Sequence, residues 1–275
     1  MKNAIKILVL TMAVVLAAGF SACGGEAKND ASVLRVGMEC AYAPFNWTQI
    51  KESDGAVKLA DGTYAGGYDV EIAKRIAESM GRELVIVKTE WDGLTPSLTS
   101  GKIDAIIAGM SATEERKQTI DFSDDYYYSD LVVVVRGDSE FAAAESILDF
   151  AGAKMTGQLN TLHYDVIDQM EGVEKQAALE DFPTMIIALQ SGKIDGYVSE
   201  RPGALSAVAA NPELTFVAFE GENGFDYSDG EVSIAVGVKK DSELTAEINA
   251  ALAEISAEER AAIMEAAVLN QSVGE

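Results

Sequence analysis

The sequence predicts an α/β protein built from two lobes of similar design. The main observation is an internal repeat: residues 98–107 read Leu-Thr-Ser-Gly-Lys-Ile-Asp-Ala-Ile-Ile, and residues 189–198 read Leu-Gln-Ser-Gly-Lys-Ile-Asp-Gly-Tyr-Val. Each copy follows an apolar run with helical spacing, and each ends in an apolar run that indicates a strand. Because a helix, a turn and a strand recur about 91 residues apart, we expect two α/β units with largely parallel sheets.

The segments before the first repeat fit this plan. Residues 33–37 and 84–87 are apolar runs that predict strands. Between them we expect a helix with Asp69 as its N-cap, which Gly81 stops. The apolar face of that helix comprises Ile72, Ala73, Ile76 and Ala77.

Two later segments predict connections between the lobes. Residues 131–135 indicate a strand that leaves the first lobe, and residues 232–238 indicate a strand that returns to it. Residues 244–267 are rich in alanine and helical, with a break and a new capping box at Ser256-Ala257-Glu258-Glu259. Two crossings would make a hinge of paired strands, with lobe 1 at residues 33–128 and 232–275 and lobe 2 at residues 129–231.

The first 22 residues predict a sorting signal. Lys2 and Lys6 form a positive start, and residues 7–20 are apolar but too short for a membrane span of about 20 residues. The following Phe20-Ser21-Ala22-Cys23-Gly24 resembles the lipobox of bacterial lipoproteins. This resemblance implies lipid on Cys23, residues 23–32 as a lipid-anchored linker, and an extracytoplasmic protein that meets the membrane through its anchor alone. An ordinary signal peptide with an incidental cysteine is the alternative.

Charge and composition exclude several classes of function. The chain carries 21 Lys and Arg against 45 Asp and Glu, a net charge of −24, and a negative surface repels nucleic acid and anionic lipid. With Cys23 assigned to lipid, Cys40 has no cysteine partner, which excludes a disulfide framework. His163 is the single histidine in the sequence, so we expect neither a metal site nor a cofactor.

Polar residues follow both repeated strands, at the position where open α/β sheets bind ligands. Gly109, Ser111 and Arg116 follow the first strand, and Ser199 and Glu200 follow the second. A hydroxyl and a guanidinium from one lobe would therefore face a carboxylate from the other. That arrangement complements a zwitterion.

Several ordered motifs make residues 33–249 resemble the bacterial extracellular solute-binding proteins, family 3, which serve polar-amino-acid ABC transporters. Each motif alone is weak, but their order and spacing together are specific. The resemblance implies a type II periplasmic-binding-protein-like fold, a monomer without catalytic activity, an amino acid ligand and a membrane permease as partner. The motifs are Val36-Gly37, Tyr42-Ala43-Pro44-Phe45, Gly67-Tyr68-Asp69-Val70, Pro96-Ser97-Leu98, Gly109-Met110-Ser111-Ala112-Thr113-Glu114-Glu115-Arg116 and Ile120-Asp121-Phe122-Ser123.

The resemblance also implies roles for residues that hold the ligand backbone. Arg116 matches the arginine that grips the α-carboxylate, a planar group that suits a bidentate guanidinium. Ser111 and the carbonyl of Gly109 match contacts to the α-ammonium. Glu200 matches the acidic partner of that ammonium on the second lobe, where the family often has Asp.

A turn on the second lobe completes the expected cradle for the carboxylate. Thr161 and Leu162 match a Gly-Thr-X turn that offers backbone N–H groups. Asn160 replaces the usual Gly, which is tolerable because Asn also adopts left-handed backbone conformations. His163 follows this turn, and we interpret it as structural.

Three further matches bear on the ligand side chain. Tyr42 and Trp91 match positions that sandwich it, and Glu39 matches an acidic position at its far end. Two aromatic faces, each worth about 0.5–2 kcal/mol to a cation, and one carboxylate favour Lys, Arg, ornithine or His. A neutral ligand such as glutamine is the alternative. A second alternative is an enzyme on the same fold that eliminates water or carboxylate from cyclic acids, with Glu200 or Glu39 moving a proton.

Overall fold

The structure is a computed structural model that describes residues 31–271, so the expected signal segment and Cys23 lie outside the described residues. Its strands are β1 (Val33–Met38), β2 (Ala41–Tyr42), β3 (Asn46–Gln49), β4 (Val57–Lys58), β5 (Tyr64–Gly66), β6 (Glu83–Lys88), β7 (Ala105–Ile106), β8 (Ile120–Tyr128), β9 (Leu131–Arg136), β10 (Lys154–Thr156), β11 (Glu174–Lys175), β12 (Gly196–Glu200), β13 (Leu214–Ala218) and β14 (Ser233–Lys239). Its α-helices are α1 (Tyr68–Ser79), α2 (Leu94–Ser100), α3 (Leu162–Asp165), α4 (Phe182–Gln190), α5 (Arg201–Ala210), α6 (Asp229–Val232), α7 (Leu244–Ala253) and α8 (Ala257–Asn270).

The first sheet has the strand order β6-β1-β7-β14-β8. Strand β1 is parallel to β6 and β7, whereas β14 is antiparallel to β7 and β8. Leu34 and Val36 of β1 are fully buried in one cluster with Ile76 of α1 and Ile248 of α7. Helix α2 belongs to a second cluster of this lobe, which includes Leu98. Helices therefore cover both faces of the sheet. The sequence predicted largely parallel sheets, but this sheet is mixed, because β14 returns antiparallel to both of its neighbours.

The second sheet has the order β11-β10-β12-β9-β13, with β9 antiparallel to both of its neighbours. All five residues from Leu131 to Val135 in β9 are buried. Side chains alternate between the faces of a strand, so Val132 and Val134 join one core with Phe182, while Val133 joins another with Phe150. A continuous apolar run is therefore needed here, because both faces are covered. A smaller antiparallel sheet, β2-β3-β5-β4, lies beside the first.

The chain passes between the two large sheets along paired strands. Strand β8 ends at Tyr128 in the first sheet, and β9 begins at Leu131 in the second. The returning strand β14 pairs with β8 through Ser233 with Tyr128 and Ile234 with Tyr127. The molecule is thus a bilobal α/β protein of the periplasmic-binding-protein type with a two-strand hinge, as expected. We propose residues 129–231 as lobe 2 and the flanking residues as lobe 1.

The repeated helix–turn–strand unit occurs in both lobes. Helix α2 ends at Gly101, which has a left-handed φ of 80°, and leads to β7. Helix α4 ends at Ser191, and Gly192, with φ of 71°, starts the turn toward β12. Each glycine allows the sharp turn that returns the chain to the sheet. The break near Ser256 is also confirmed, because Ser256 and Glu259 form the capping box of α8.

Two local expectations are wrong. Helix α1 begins at Tyr68 with Gly67 as its N-cap, so Asp69 lies inside the first turn. Its carboxylate does not cap the helix, since it is fully buried and accepts hydrogen bonds from Asn46 and Tyr126. Strand β12 extends through Glu200, so this residue ends the strand instead of following it. Within residues 31–271, no helix has both the length and the apolar character to cross a bilayer.

Candidate functional site

A small cavity of about 20 Å³ lies between the lobes. Strand ends of both sheets open onto it, and Leu131 and Val232 line it at the two crossings of the hinge. Of the residues expected to bind a ligand, all except Glu39 line this cavity. They are Tyr42, Trp91, Gly109, Ser111 and Arg116 on the side of the first sheet, and Thr161, Leu162 and Glu200 on the side of the second.

Arg116 lies in the short helical turn before β8 and is held on both sides of the cavity. Its Nη1 donates to the carbonyl of Ser111 and its Nη2 to the carbonyl of Asn160, both at 3.0 Å. The guanidinium carbon lies 5.1 Å from the ring centroid of Trp91. Burial lowers the pKa of Arg116 to about 10, so the group remains cationic at neutral pH. The cavity therefore has one fixed positive fork in its wall.

Glu200 supplies the negative charge from the opposite lobe. It ends β12 and is 2% exposed. The hydroxyl of Tyr42 donates a hydrogen bond to Glu200 Oε2, and His163 Nε2 lies 3.6 Å from Oε1. Burial, followed by the nearby charge of Glu200, raises the pKa of Tyr42 well above its ordinary value, so this hydroxyl stays a donor. Glu200 and Arg116 thus reach the same cavity from different lobes.

The two expected aromatic residues occupy different surroundings. Tyr42 stacks on Phe182 of α4, with ring centroids 4.2 Å apart and planes 9° from parallel. Its ring also packs on Gly109, which has φ of 62° and where an added Cβ would lie 3.0 Å from Tyr42. Trp91 is partly exposed and its indole N–H points to the carbonyl of Asn160 at 3.5 Å. The sandwich of a ligand side chain by Tyr42 and Trp91 stays a prediction.

Glu39 lies beside the cavity and is 3% exposed. Its Oε1 accepts a hydrogen bond from Gln158 Nε2 at 2.9 Å, whereas its buried Oε2 has no hydrogen-bond partner among the described residues. Burial raises the pKa of Glu39 to about 7 although the bond from Gln158 opposes the shift, and negative charges at Asp181, Glu90 and Asp92 add to it. A buried oxygen of this kind favours a cation or a donor as its partner.

Sequence reasoning missed several residues that line or border the cavity. Gln158 contacts Glu39 from the other lobe, and nothing in its local sequence marks it. Phe182 stacks on Tyr42, and this contact depends on the approach of the lobes. His163, expected to be structural, lines the cavity, as does Glu231. Among residues 31–271 no group of three or more His, Cys, Asp or Glu side chains is placed to hold a metal ion.

The chain is similar in sequence and fold to known amino acid-binding proteins. The chain is 33% identical over 208 residues to a probable histidine-binding protein of Campylobacter jejuni, which covers 74% of this chain and 75% of that protein. A crystal structure of the amino acid ABC transporter substrate-binding protein AbpA of Streptococcus pneumoniae, bound to L-arginine, matches with a TM-score of 0.73 and 29% identity. That match covers 86% of this chain and 95% of the other.

A structure of an ancestral arginine-binding protein bound to glutamine matches with a TM-score of 0.70 and 30% identity, over 85% of this chain and 96% of the other. The family model for bacterial extracellular solute-binding proteins, family 3, matches residues 34–268. This match spans both sheets, the hinge strands and every residue that lines the cavity. The chain therefore belongs to the bacterial extracellular solute-binding proteins of family 3.

Proposed function

We propose that this protein binds one polar, cationic L-amino acid between its lobes and presents it to the permease of an ABC importer. It performs no chemistry on the ligand. The observation that carries the proposal is the meeting of Arg116 and Glu200 in one cavity, from opposite sides of the hinge. A guanidinium and a carboxylate separated in this way complement the two charges of an amino acid backbone.

The two charged groups of the ligand backbone would each contact residues from both lobes. The α-carboxylate would take the fork of Arg116, and Thr161 with Leu162 would add backbone N–H groups from the second lobe. The α-ammonium would lie between Glu200, Ser111 and the carbonyl of Gly109. Glu200 is the strongest of these ammonium partners because it is a carboxylate shielded from water.

Closure of the lobes would complete the site. Lobe 1 offers Arg116, Ser111, Tyr42 and Trp91, and lobe 2 then adds Glu200 and the turn at Thr161. A ligand shifts the equilibrium toward closure only through contacts made preferentially in the closed form. Some groups of the two lobes already meet across the cleft, as Arg116 Nη2 and the carbonyl of Asn160 do at 3.0 Å. We therefore expect closure to be a small motion about the paired hinge strands.

The charge of the ligand side chain is argued from Glu39. Its Oε2 is buried and lacks a donor among the described residues, and the side chains of Tyr42 and Trp91 border the same cavity. A cationic side chain would satisfy this oxygen and hold Glu39 in its ionised form. Arginine, lysine, ornithine and histidine all carry or gain such a charge. Glutamine would donate to the same oxygen through its amide but would leave the buried charge uncompensated.

The direct test is isothermal titration calorimetry of the ligand-stripped protein with arginine, lysine, ornithine, histidine and glutamine at pH 8. We expect arginine, lysine and ornithine, whose side chains are cationic at this pH, to bind at least tenfold more tightly than glutamine. Thermal unfolding provides an independent readout, since a bound ligand raises the midpoint by mass action. Tighter binding of glutamine than of arginine and lysine would contradict the cationic specificity and leave amino acid binding intact.

A matched pair of variants tests the role of Glu39. Glu39→Gln removes the buried charge and should weaken arginine binding about tenfold to a hundredfold while changing glutamine affinity much less. Glu90→Gln makes the same chemical change at an exposed residue, whose negative charge helps to raise the pKa of Glu39. This variant should leave arginine affinity within about threefold. Equal losses for arginine and glutamine in Glu39→Gln would refute a role in selecting the side chain.

An enzyme on this fold is the second candidate, because the pKa of about 7 at Glu39 suits a group that transfers protons. Incubation with the cyclic acids prephenate and arogenate distinguishes it from a transport protein. We expect no turnover by a preparation that binds amino acids. Product formation that Glu39→Gln abolishes would favour the enzyme.

We also propose that Cys23 carries the lipid that anchors the protein outside the cytoplasm, and that the protein acts as a monomer. Residues 20–24 support the anchor by their likeness to a lipobox. Metabolic labelling with palmitate should mark the wild-type protein but not Cys23→Ser. The variant should leave the membrane fraction, and labelling that persists in it would contradict the assignment.

A further inference from the structure

A buried carboxylate that the proposed ligand contacts do not use lies behind the site. Asp69, in the first turn of α1, is 0% exposed. Tyr126 Oη donates to its Oδ1 and Asn46 Nδ2 to its Oδ2, both at 2.7 Å. Donors from two different parts of lobe 1 therefore converge on one side chain.

The first connection leads to the segment that carries Glu39 and Tyr42. Asn46 Oδ1 accepts a hydrogen bond from the backbone N–H of Cys40 at 2.6 Å. Cys40 has φ of 56°, a left-handed conformation that is strained for a residue with a side chain and persists when its surroundings impose it. The relay from Asp69 through Asn46 thus fixes the bend between the two candidate ligand contacts.

The second connection leads to the loop that carries Ser111. Gly109 has a left-handed φ of 62° and contacts the ring of Tyr42. Its carbonyl and the hydroxyl of Ser111 are the proposed partners of the ligand ammonium. The ring of Tyr42, which follows the bend at Cys40, therefore packs against the loop that carries the proposed ammonium contacts.

The hydrogen-bond directions make Asp69 an acceptor toward Asn46. The Cys40 N–H requires an acceptor, so Asn46 must turn its amide oxygen to Cys40 and its NH₂ group to Asp69. Asp69 must then accept through its Oδ2. The donors stabilise the ionised carboxylate against burial, which is the larger effect and raises the pKa of Asp69 to about 7.

We propose that Asp69 is a positioning residue for ligand binding, which sets the conformation of the Cys40 segment through the Asn46 amide. This inference rests on the proposed function, because the affinity that it explains is for an amino acid. Asp69 itself contacts no ligand. Its effect is to hold Glu39 and Tyr42 in one arrangement.

The test begins with Asp69→Asn, which keeps the size of the side chain and removes one acceptor. The new amide can hold Asn46 only through a neutral hydrogen bond, which is weaker than the bond to a carboxylate, and only if Tyr126 turns its hydroxyl to accept from the new NH₂ group. We expect arginine affinity to fall about tenfold or more. Amide hydrogen exchange of the ligand-free variant should accelerate at Cys40, whose N–H the Asn46 amide accepts, and stay unchanged at Val133, which is buried in the second sheet.

An exchange of the two side chains provides the decisive control. In the double variant Asn46→Asp, Asp69→Asn, the carboxylate at position 46 accepts from the Cys40 N–H and from the new amide, whose oxygen still accepts from Tyr126. Donors and acceptors match again, so we expect affinity within about threefold of wild type and restored protection at Cys40. A merely destabilising role would show no such rescue. Ile248→Ala, which truncates a fully buried core side chain of α7, should lower the unfolding midpoint while leaving the arginine dissociation constant unchanged.

The binding measurements distinguish failure of the inference about Asp69 from failure of the proposed function. Wild-type affinity in folded Asp69→Asn would overturn the inference, and so would a double variant as weak as the single one. If Asp69→Asn does not fold, a folded double variant that binds arginine supports the relay, and one that also fails to fold overturns it. A wild-type protein that binds no amino acid would instead refute the proposed function, while hydrogen exchange at Cys40 would still report on the relay.

Discussion

Arg116 is constrained before any ligand arrives. The carbonyls of Ser111 and Asn160 each accept a hydrogen bond from its guanidinium, and Trp91 lies against the cation at 5.1 Å. A free arginine side chain has about 2 kcal/mol of rotamer entropy to lose on binding. Contacts that fix the fork in advance reduce this loss, which makes Arg116 better suited than a lysine to a planar carboxylate.

Replacement of this residue is the simplest prediction at the residue scale. Arg116→Ala should weaken arginine binding by on the order of 3 kcal/mol, or about a hundredfold, because it leaves a buried ligand carboxylate without its counter-charge. Calorimetry measures the change directly. Lys117→Ala is the matched control, since the Lys117 ammonium is exposed and contacts Glu114 on the surface, and it should bind like wild type. Wild-type affinity in Arg116→Ala would reject the carboxylate role.

The turn between β10 and α3 is the element that brings lobe 2 to lobe 1. Gln158 reaches Glu39, and the carbonyl of Asn160 reaches Arg116. The Asn160 amide also donates to Asp92 Oδ1 at 2.8 Å. Thr161 Oγ1 closes the turn by donating to the Gln158 carbonyl at 2.7 Å. One short turn therefore holds several of the contacts that cross the cleft.

The bond between Asn160 and Asp92 yields a prediction about this element. Asn160→Gly keeps the backbone conformation at φ of 56° accessible and removes only the amide. The loss of one exposed hydrogen bond, about 1 kcal/mol, should raise the dissociation rate of arginine about fivefold with little change in the association rate. Stopped-flow fluorescence measures both rates. Asp92→Ala should behave alike, and the double variant should add nothing further; additive effects would show that the bond is not the cause.

Elements with a local signature were predictable from the sequence, and long-range contacts were not. The repeat at Ser100-Gly101 and Ser191-Gly192 predicted both helix ends because a left-handed turn favours glycine locally. The capping role expected for Asp69 was wrong because a partner 57 residues away, Tyr126, decides where its carboxylate lies. Gln158 and Glu39 are 119 residues apart, and no local pattern joins them. Strands β2 to β5 are two to four residues long, too short to show a period.

At the scale of the whole molecule, charge and burial act on stability in the same direction. The chain carries a net charge of −24, and self-repulsion of this size opposes the compact state. Glu39 and Asp69 are buried acids whose pKa values are both raised to about 7 by burial. Because each loses its proton less readily in the folded state than in the unfolded one, ionisation of these groups costs folding free energy.

The raised pKa values of the two buried acids determine how the stability of the protein changes with pH. Between the ordinary carboxyl pKa near 4 and the folded value of about 7, the folded state binds more protons than the unfolded one, so stability rises as the pH falls, by up to about 1.4 kcal/mol per pH unit for each group. Calorimetric unfolding of the ligand-free protein should therefore show a higher midpoint at pH 5.5 than at pH 8. Glu39→Gln should flatten this slope. A midpoint that falls steadily from pH 8 to 5.5 would show that the two buried acids do not dominate the response.

Arginine affinity should change with pH in the opposite direction from stability. It should weaken below pH 7, because Glu39 then takes up the proton that a cationic ligand displaces. This loss of affinity should be smaller in Glu39→Gln.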